Sequence, residues 1–331
     1  MPTLSSHNLQ SQIDSDESVI FFPTYAHPHP RRDTWVVLVH GWIFEPDRES
    51  RLRSALMKVL FRYLRIEKDE IQQQLSTDRA RAFLVANERG KKISVRLGGR
   101  VHTLKKSRGN GHFHGKLELT LEEARSLAEE QEFLGNSLSF QAITQPEDYR
   151  AFHGRVHLIE PQGRSLLSDI DDTIKISGVI DRRELLTNTF LNQFQAVPGM
   201  AKTYAEMAET GTRFHYVSSS PWQLYSPLAR FMQAEGFPAG PFHLRNLPGH
   251  GTSLGEVFTT RGINKRKEIE KILRKFPQRK FILVGDSGEK DPRIYAKVAA
   301  RRPDQVELIC IRVVTPLNLN SRRSRGWFRR F

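Results

Sequence analysis

A single cysteine, Cys310, among 331 residues leaves no partner for an internal disulfide and no ligand set for a cysteine-rich zinc site. A reducing, cytosol-facing compartment is therefore expected. The chain has no run of 18 or more apolar residues, so no helix is expected to span a membrane. Its opening stretch, MPTLSSHNLQSQIDSDESVIFF, has neither a basic start nor an apolar core, and no secretory leader is expected there. Acidic residues are the minority: 37 Asp and Glu against 51 Lys and Arg give a net charge of +14. Such a field attracts polyanions, whether nucleic acid, anionic lipid surfaces or phosphorylated metabolites. Hydrophobic residues make up 38% of the chain, enough for the roughly two domains that this length suggests.

The texture of the sequence divides near PQGRS. Residues 1–30 are polar and read as a flexible arm. Residues 31–162 carry β-branched and alternating runs, among them TWVVLVHGWIF, KISVRLGGRV, GKLELTL and SLSFQAI, with one helical excursion, SRLRSALMKVLFRYL. This predicts a small, mainly antiparallel β domain. From 163 to 316 short solid apolar runs (SLLSDI, RFHYVSS, PFHLR, RKFILVGD, VELICIRVV) alternate with helical segments. Solid runs separated by helices predict an α/β domain: a Rossmann-like parallel sheet with helices on both faces. Residues 317–331 form a basic, aromatic tail.

Ligands of parallel sheets collect at the carboxyl ends of the strands. Three apolar runs end there in polar residues: LLSDIDDT, YVSSS and ILVGDSGEKD. Crowded carboxylates repel one another, and a hard cation such as Mg²⁺ makes them compatible. A carboxylate can also attack phosphorus and form an aspartyl-phosphate, splitting one hydrolysis into two displacements. In this reading Asp169 is the nucleophile. Asp171, two positions on, protonates the leaving oxygen and later deprotonates water, with Thr173 orienting Asp171 by a hydrogen bond. Ser218 holds a phosphoryl oxygen, with Ser219 and Ser220 as alternatives. Lys265 balances the charge of phosphate and nucleophile, with Lys267 an equally basic neighbour. Asp286 binds Mg²⁺ and Asp291 supports it. Asp172 is read as structural.

These motifs resemble the haloacid dehalogenase phosphatases. More narrowly, SDIDDTIKIS, VSSSPWQLY and FILVGDSGEKDPRIY are similar to the catalytic domain of the actin-patch-type phosphatidate phosphatases, distant relatives of the lipins, and HGWIFEP and GHFHGKLEL are similar to the β domain that precedes it there. The resemblance runs from about residue 34 to 315. It implies Mg²⁺-dependent removal of phosphate from phosphatidate, leaving diacylglycerol. It implies Asp169 as nucleophile, Asp171 as acid and base, Ser218 as the phosphate-binding hydroxyl and Lys265 as the lysine. The implied metal ligands are Asp169, Asp171 through its backbone carbonyl, and Asp286.

Two further features have plain structural alternatives. His112 and His114 in GHFHG have an H-x-H spacing without a third ligand, so a turn is expected. Ser218 to Ser220 precede Pro221 as an N-cap would. The tail pairs Trp327, Phe328 and Phe331 with five arginines, a mixture suited to a headgroup interface. The expected partner is phosphatidate or another anionic lipid at a membrane surface, with nucleic acid not favoured. The rival readings are a phosphatase of a different phosphomonoester and a lipid-binding module without turnover.

Overall fold

The computed structural model describes residues 10–131, 136–247 and 265–314. The basic tail lies outside them. They divide into two compact units: one from residues up to Ser54 and Leu84–Glu160, the other from Ala55–Phe83, Pro161–Asn246 and the described residues from 265 onward.

The first unit is a nine-stranded, mainly antiparallel sheet. Its spine is β3 (Thr34–Glu49), which pairs with β1 (Ser18–Phe21), β2 (Thr24–Pro28), β4 (Val85–Asn87) and β7 (His112–Thr120). The path continues from β2 through β9 (His153–Leu158), β8 (Ser137–Ala142) and β5 (Ser94–Leu97) to β6 (Arg100–Thr103). Only β2–β9 is parallel within it. Val37, Val39, Ile43, Phe113, Leu117, Leu119 and Phe140 meet in its core. The run KISVRLGGRV is a hairpin, turned at Gly98, whose φ of 56° suits a residue without Cβ.

Three expectations change here. The N-terminal arm is, from Ser18, two strands of the sheet, because Val19, Phe21, Tyr25 and Ala26 have apolar surroundings to fill. The helical excursion does not stay with the β domain. α1 (Arg51–Tyr63), α2 (Ile71–Leu75) and α3 (Asp78–Leu84) leave the sheet after β3, and residues Ala55–Phe83 group with the second unit, whereas α4 (Leu121–Glu130), after β7, stays with the first. His112 and His114 are not in a turn but at alternate positions of β7, on one face. His40 lies opposite His114 and stacks on it at 4.1 Å, and its Nε2 is 3.0 Å from His112 Nδ1. Burial pushes His112 down to about 3, so its ring packs in this layer as a neutral imidazole.

The second unit holds a five-stranded, wholly parallel sheet in the order β12 (Phe242–Arg245), β11 (Arg213–Pro221), β10 (Arg164–Ser168), β13 (Lys280–Asp286), β14 (Val306–Arg312). α5 (Arg182–Phe190), α6 (Met200–Glu209), α7 (Tyr225–Ala234), α8 (Lys265–Lys275) and α9 (Asp291–Arg301) occur along the chain between these strands. From the central β10 the chain steps outward to β11 and β12, then returns to the other side for β13 and β14. The order reverses between β10 and β13, where a crevice opens at the carboxyl ends of an α/β sheet. Asp169 immediately follows β10, and Asp286 is the last residue of β13.

Candidate active site

Beyond β10 the sheet ladder continues for one more bond, Asp169 N to Val284 O at 2.8 Å, and then the chain turns. Ile174 N and Lys175 N both donate to Ile170 O at 3.0 Å, and Asp172 adopts φ 53°. The tight turn decides which aspartate does what. The Asp172 carboxylate accepts the backbone N–H groups of Ser177, Gly178 and Val179 at 2.8, 3.1 and 2.6 Å. It therefore shapes the next loop, in keeping with its structural reading. The turn also carries Thr173 back to its own start. Its hydroxyl donates to Asp169 Oδ2 at 3.2 Å and orients that residue, not Asp171 as expected. The turn closes through Ile170 O, and that brings position 173 back to position 169.

Asp169, Asp286 and Asp291 converge. All three are buried, and each offers an oxygen within 4.8 Å of the others. Lys265, at the start of α8, donates to Asp169 Oδ1 at 2.8 Å and to Asp291 Oδ1 at 2.6 Å, and lies 3.5 Å from Glu289 Oε2. Lys267 is exposed, so helix phase brings Lys265 alone of the pair to the cluster. Asp286 Oδ1 accepts from Gly288 N at 2.6 Å and Glu289 N at 3.0 Å, while its buried Oδ2 has no hydrogen-bond partner. Gly285 precedes it because a Cβ there would collide with the Asp291 carboxylate.

The electrostatics are unbalanced. Burial, opposed by Lys265 and reinforced by the neighbouring carboxylates, pushes Asp169 well above its ordinary range. Burial, with Asp291 and Glu289 nearby, raises Asp286 to about 7. Burial would strip Lys265 of its proton, but Asp169 and Asp291 outweigh it and hold the ammonium more firmly than usual. Four carboxylates thus share one ammonium. Hard oxygen donors, an orphaned buried oxygen and uncompensated negative charge are what a divalent cation such as Mg²⁺ requires, and the residues fit one.

Asp171 sits in a second, separate network. Its Oδ1 accepts from Ser177 Oγ at 2.8 Å and lies 3.0 Å from Lys175 Nζ; its Oδ2 accepts from Ser218 Oγ at 3.0 Å and Ser220 Oγ at 2.8 Å. Burial alone would raise its carboxyl, but Lys175 and the hydroxyl donors win and hold it at about 2. Ser218 closes the apolar part of β11, fully buried, and also accepts Ser220 N at 2.9 Å. Ser219 makes no such contact with Asp171. None of the three serines caps a helix: β11 runs on to Pro221, and neither the short 3₁₀ turn Trp222–Leu224 nor α7 has a side-chain cap.

Sequence reasoning missed Lys175, Ser177 and Glu289. Lys175 is buried between the Asp171 carboxylate and the Phe194 ring, 4.9 Å from the ring centre. A lysine between Ile174 and Ile176 was the available signal. The chain also contains a G-x-S-x-G spacing, GTSLG at 251–255, the elbow pattern of α/β-hydrolases. It lies outside the described residues.

Comparison with known proteins gives sequence matches over the segment that carries these carboxylates. Residues 164–313 match the family described as "Phosphatidate phosphatase APP1, catalytic domain". Over 160 residues, 46% of this chain and 26% of the relative, the chain is 41% identical to Phosphatidate phosphatase APP1 of Saccharomyces cerevisiae. An uncharacterized protein of Schizosaccharomyces pombe is 31% identical over 186 residues, 55% of this chain and 30% of that one. The matched parts thus span under a third of those relatives. Among solved structures, a Class C acid phosphatase from Bacillus anthracis with tungstate bound overlaps 44% of this chain and 66% of its own at 11% identity, with a TM-score of 0.29, a likeness too low to carry weight. The assembled carboxylates fall within the matched segment, and residues 164–313 are similar to the catalytic domain of the phosphatidate phosphatase APP1 family.

Proposed function

We propose that the second unit hydrolyses phosphatidate to diacylglycerol and phosphate, with Mg²⁺ and through an aspartyl-phosphate. The observation that supports this best is the buried trio Asp169, Asp286 and Asp291, with the unpartnered Asp286 Oδ2 among them. These three side chains would hold the ion, together with the backbone carbonyl of Asp171 that the family resemblance implies. Bound there, Mg²⁺ supplies positive charge that offsets the carboxylates and the phosphoryl oxygens.

The chain's own groups account for the rest. Asp169, oriented by Thr173 and Lys265, attacks phosphorus. The bond from phosphorus to the glycerol oxygen breaks, and that oxygen takes the proton of Asp171. Water then attacks the aspartyl-phosphate, Asp171 takes a proton from that water, and the Asp169 carboxylate is restored as phosphate leaves. Ionised Asp171, as the structure holds it, is the form that accepts the proton. Two changes on substrate binding favour the protonated form needed first. A phosphate brings like charge close, and Ser218 and Ser220, by turning their hydroxyls to phosphoryl oxygens, withdraw two bonds from the Asp171 carboxylate. Lys175 and Ser177 keep the side chain in place meanwhile.

No helix among the described residues is long and apolar enough to cross a membrane, so the reading is of a peripheral enzyme acting on a lipid surface. Phosphate release from phosphatidate in mixed micelles is expected with Mg²⁺ and is expected to fall by about 10²-fold or more in EDTA, the scale of losing one strong electrostatic stabiliser. Equal release in EDTA contradicts the metal. Better turnover of sugar phosphates or 5′-phosphorylated oligonucleotides in competition contradicts the substrate. Mg²⁺-dependent lipid binding without release indicates a module that captures headgroups only.

A further inference from the structure

Isolated exposed apolar residues are ordinary on protein surfaces, but those of α1 are not isolated. Leu52, Val59 and Tyr63 are 56%, 54% and 53% exposed. At 3.6 residues per turn they stand in one column along the helix. Arg51, Lys58 and Arg62, all exposed, form the adjoining column, with Ala55 between the two. The opposite face packs inward through Met57, Leu60 and Phe61. From Ser50 to Ile66 the chain has five cations (Arg51, Arg53, Lys58, Arg62 and Arg65) and no carboxylate. We infer that the outward face of α1 is a docking surface for an anionic phospholipid bilayer, in which Leu52, Val59 and Tyr63 enter the headgroup boundary and Arg51, Lys58 and Arg62 meet lipid phosphates.

The chemistry selects this occupant. An apolar column beside a cationic one is the pattern of helices that lie in a membrane interface. Tyrosine suits that boundary, with an apolar ring and a polar tip. A second copy of the chain would bring the same cations against each other on a protein already at +14. The surface also has a fixed relation to the catalytic cluster. Phe61 packs edge-on against Phe190 at 6.3 Å, and Leu64 O accepts from Arg183 Nη2 at 3.1 Å, which ties the end of α1 to α5. The segment leading into α5 contains Ile180, 51% exposed. Ile180 borders the carboxylate cluster: a Cβ added to Gly288 would lie 3.3 Å from Ile180 and 3.0 Å from the Asp286 carboxylate. Docking through α1 would therefore fix the catalytic unit on the surface that holds its proposed substrate. The surface itself does not depend on that substrate reading.

The test is sedimentation of the full chain with vesicles free of phosphatidate, in EDTA, so that neither turnover nor the metal contributes. One set is phosphatidylcholine alone and the other adds phosphatidylserine. Wild type is expected to bind the anionic set preferentially. Val59→Asp with Tyr63→Asp is expected to weaken that binding by about tenfold or more, and Lys58→Glu with Arg62→Glu to lower the preference for anionic vesicles by about tenfold or more, given the contribution of each cation near such a surface. Both variants should hydrolyse a water-soluble short-chain phosphatidate like wild type. Undiminished vesicle binding overturns the inference, as does equal binding of both vesicle sets by wild type. Loss of soluble-substrate turnover with no loss of binding also overturns it. If wild type hydrolyses no phosphatidate at all while the α1 variants still lose vesicle binding, the functional reading fails and the docking surface stands.

Discussion

Asp169→Asn is expected to lower the rate of phosphate release by about 10⁴-fold or more, the scale seen when a nucleophile is removed from a concerted site. Asparagine keeps the volume: its oxygen can accept from Lys265 Nζ, now 2.8 Å from Asp169 Oδ1, and its NH₂ can donate to Thr173 Oγ1, now 3.2 Å from Asp169 Oδ2, once that hydroxyl turns. What it loses is the carboxylate that attacks phosphorus. The loss should therefore fall on kcat, with KM little changed and the fold intact by thermal melting. A variant retaining a tenth of wild-type turnover would contradict the nucleophile assignment. The same variant should form no acid-stable, alkali-labile phosphoenzyme when the reaction is quenched.

Lys265→Met is expected to have the largest effect on stability. The ammonium is buried and bonded to two buried carboxylates at 2.8 and 2.6 Å. Methionine fills much of the volume but leaves Asp169 and Asp291 facing each other without a counter-charge. Breaking a buried pair by removing one partner costs about 3–5 kcal/mol. Urea unfolding of the metal-free protein should show this as a lower midpoint at unchanged slope. The penalty should shrink at low pH, where protonation of the carboxylates relieves the repulsion, and it should shrink with Mg²⁺, which replaces part of the missing charge. An unchanged midpoint at pH 8 would mean that Lys265 does not neutralise the cluster. Turnover should also fall, since Lys265 touches the nucleophile.

Much of this was legible in the residues, for physical reasons that differ from element to element. A strand covered on both faces must be apolar throughout, so SLLS, FHYV and FILVG announced the parallel sheet. Carboxylates at the ends of such strands are costly without a purpose, which marked Asp169 and Asp286. Helix phase separated Lys265 from Lys267 once the start of α8 was known, but the sequence alone left both open. Thr173 was assigned to the wrong aspartate because the turn at Ile170–Lys175, with Asp172 at positive φ, cannot be read from alternation. Lys175 was missed because a lysine is normally solvated, and its burial depends on a carboxylate and a ring brought from elsewhere in the fold. The short strands at Ser18–Phe21 and Thr24–Pro28 were masked by the polar residues around them. The grouping of residues Ala55–Phe83 with the second unit depends on tertiary packing, such as Phe61 on Phe190, which local periodicity does not encode.

The central claim is that Asp169, Asp286 and Asp291 are gathered to hold a divalent cation, and melting of the metal-free and Mg²⁺-loaded protein tests it without any assay of turnover. Asp286 is raised from an ordinary 3.8 to about 7. Between those values the native protein keeps a proton that the unfolded chain has lost, so this site makes stability fall as pH rises through that window. Asp286→Asn cannot ionise. Without metal it should melt higher than wild type at pH 8, and the gap should narrow at pH 5.5. A fixed Mg²⁺ concentration, about 100 times the wild-type dissociation constant at pH 8, should add about 2.7 kcal/mol to wild type at that pH, less at pH 5.5, and little to Asp286→Asn. Equal Mg²⁺ shifts in the two proteins, or no shift in wild type at pH 8, would contradict the claim.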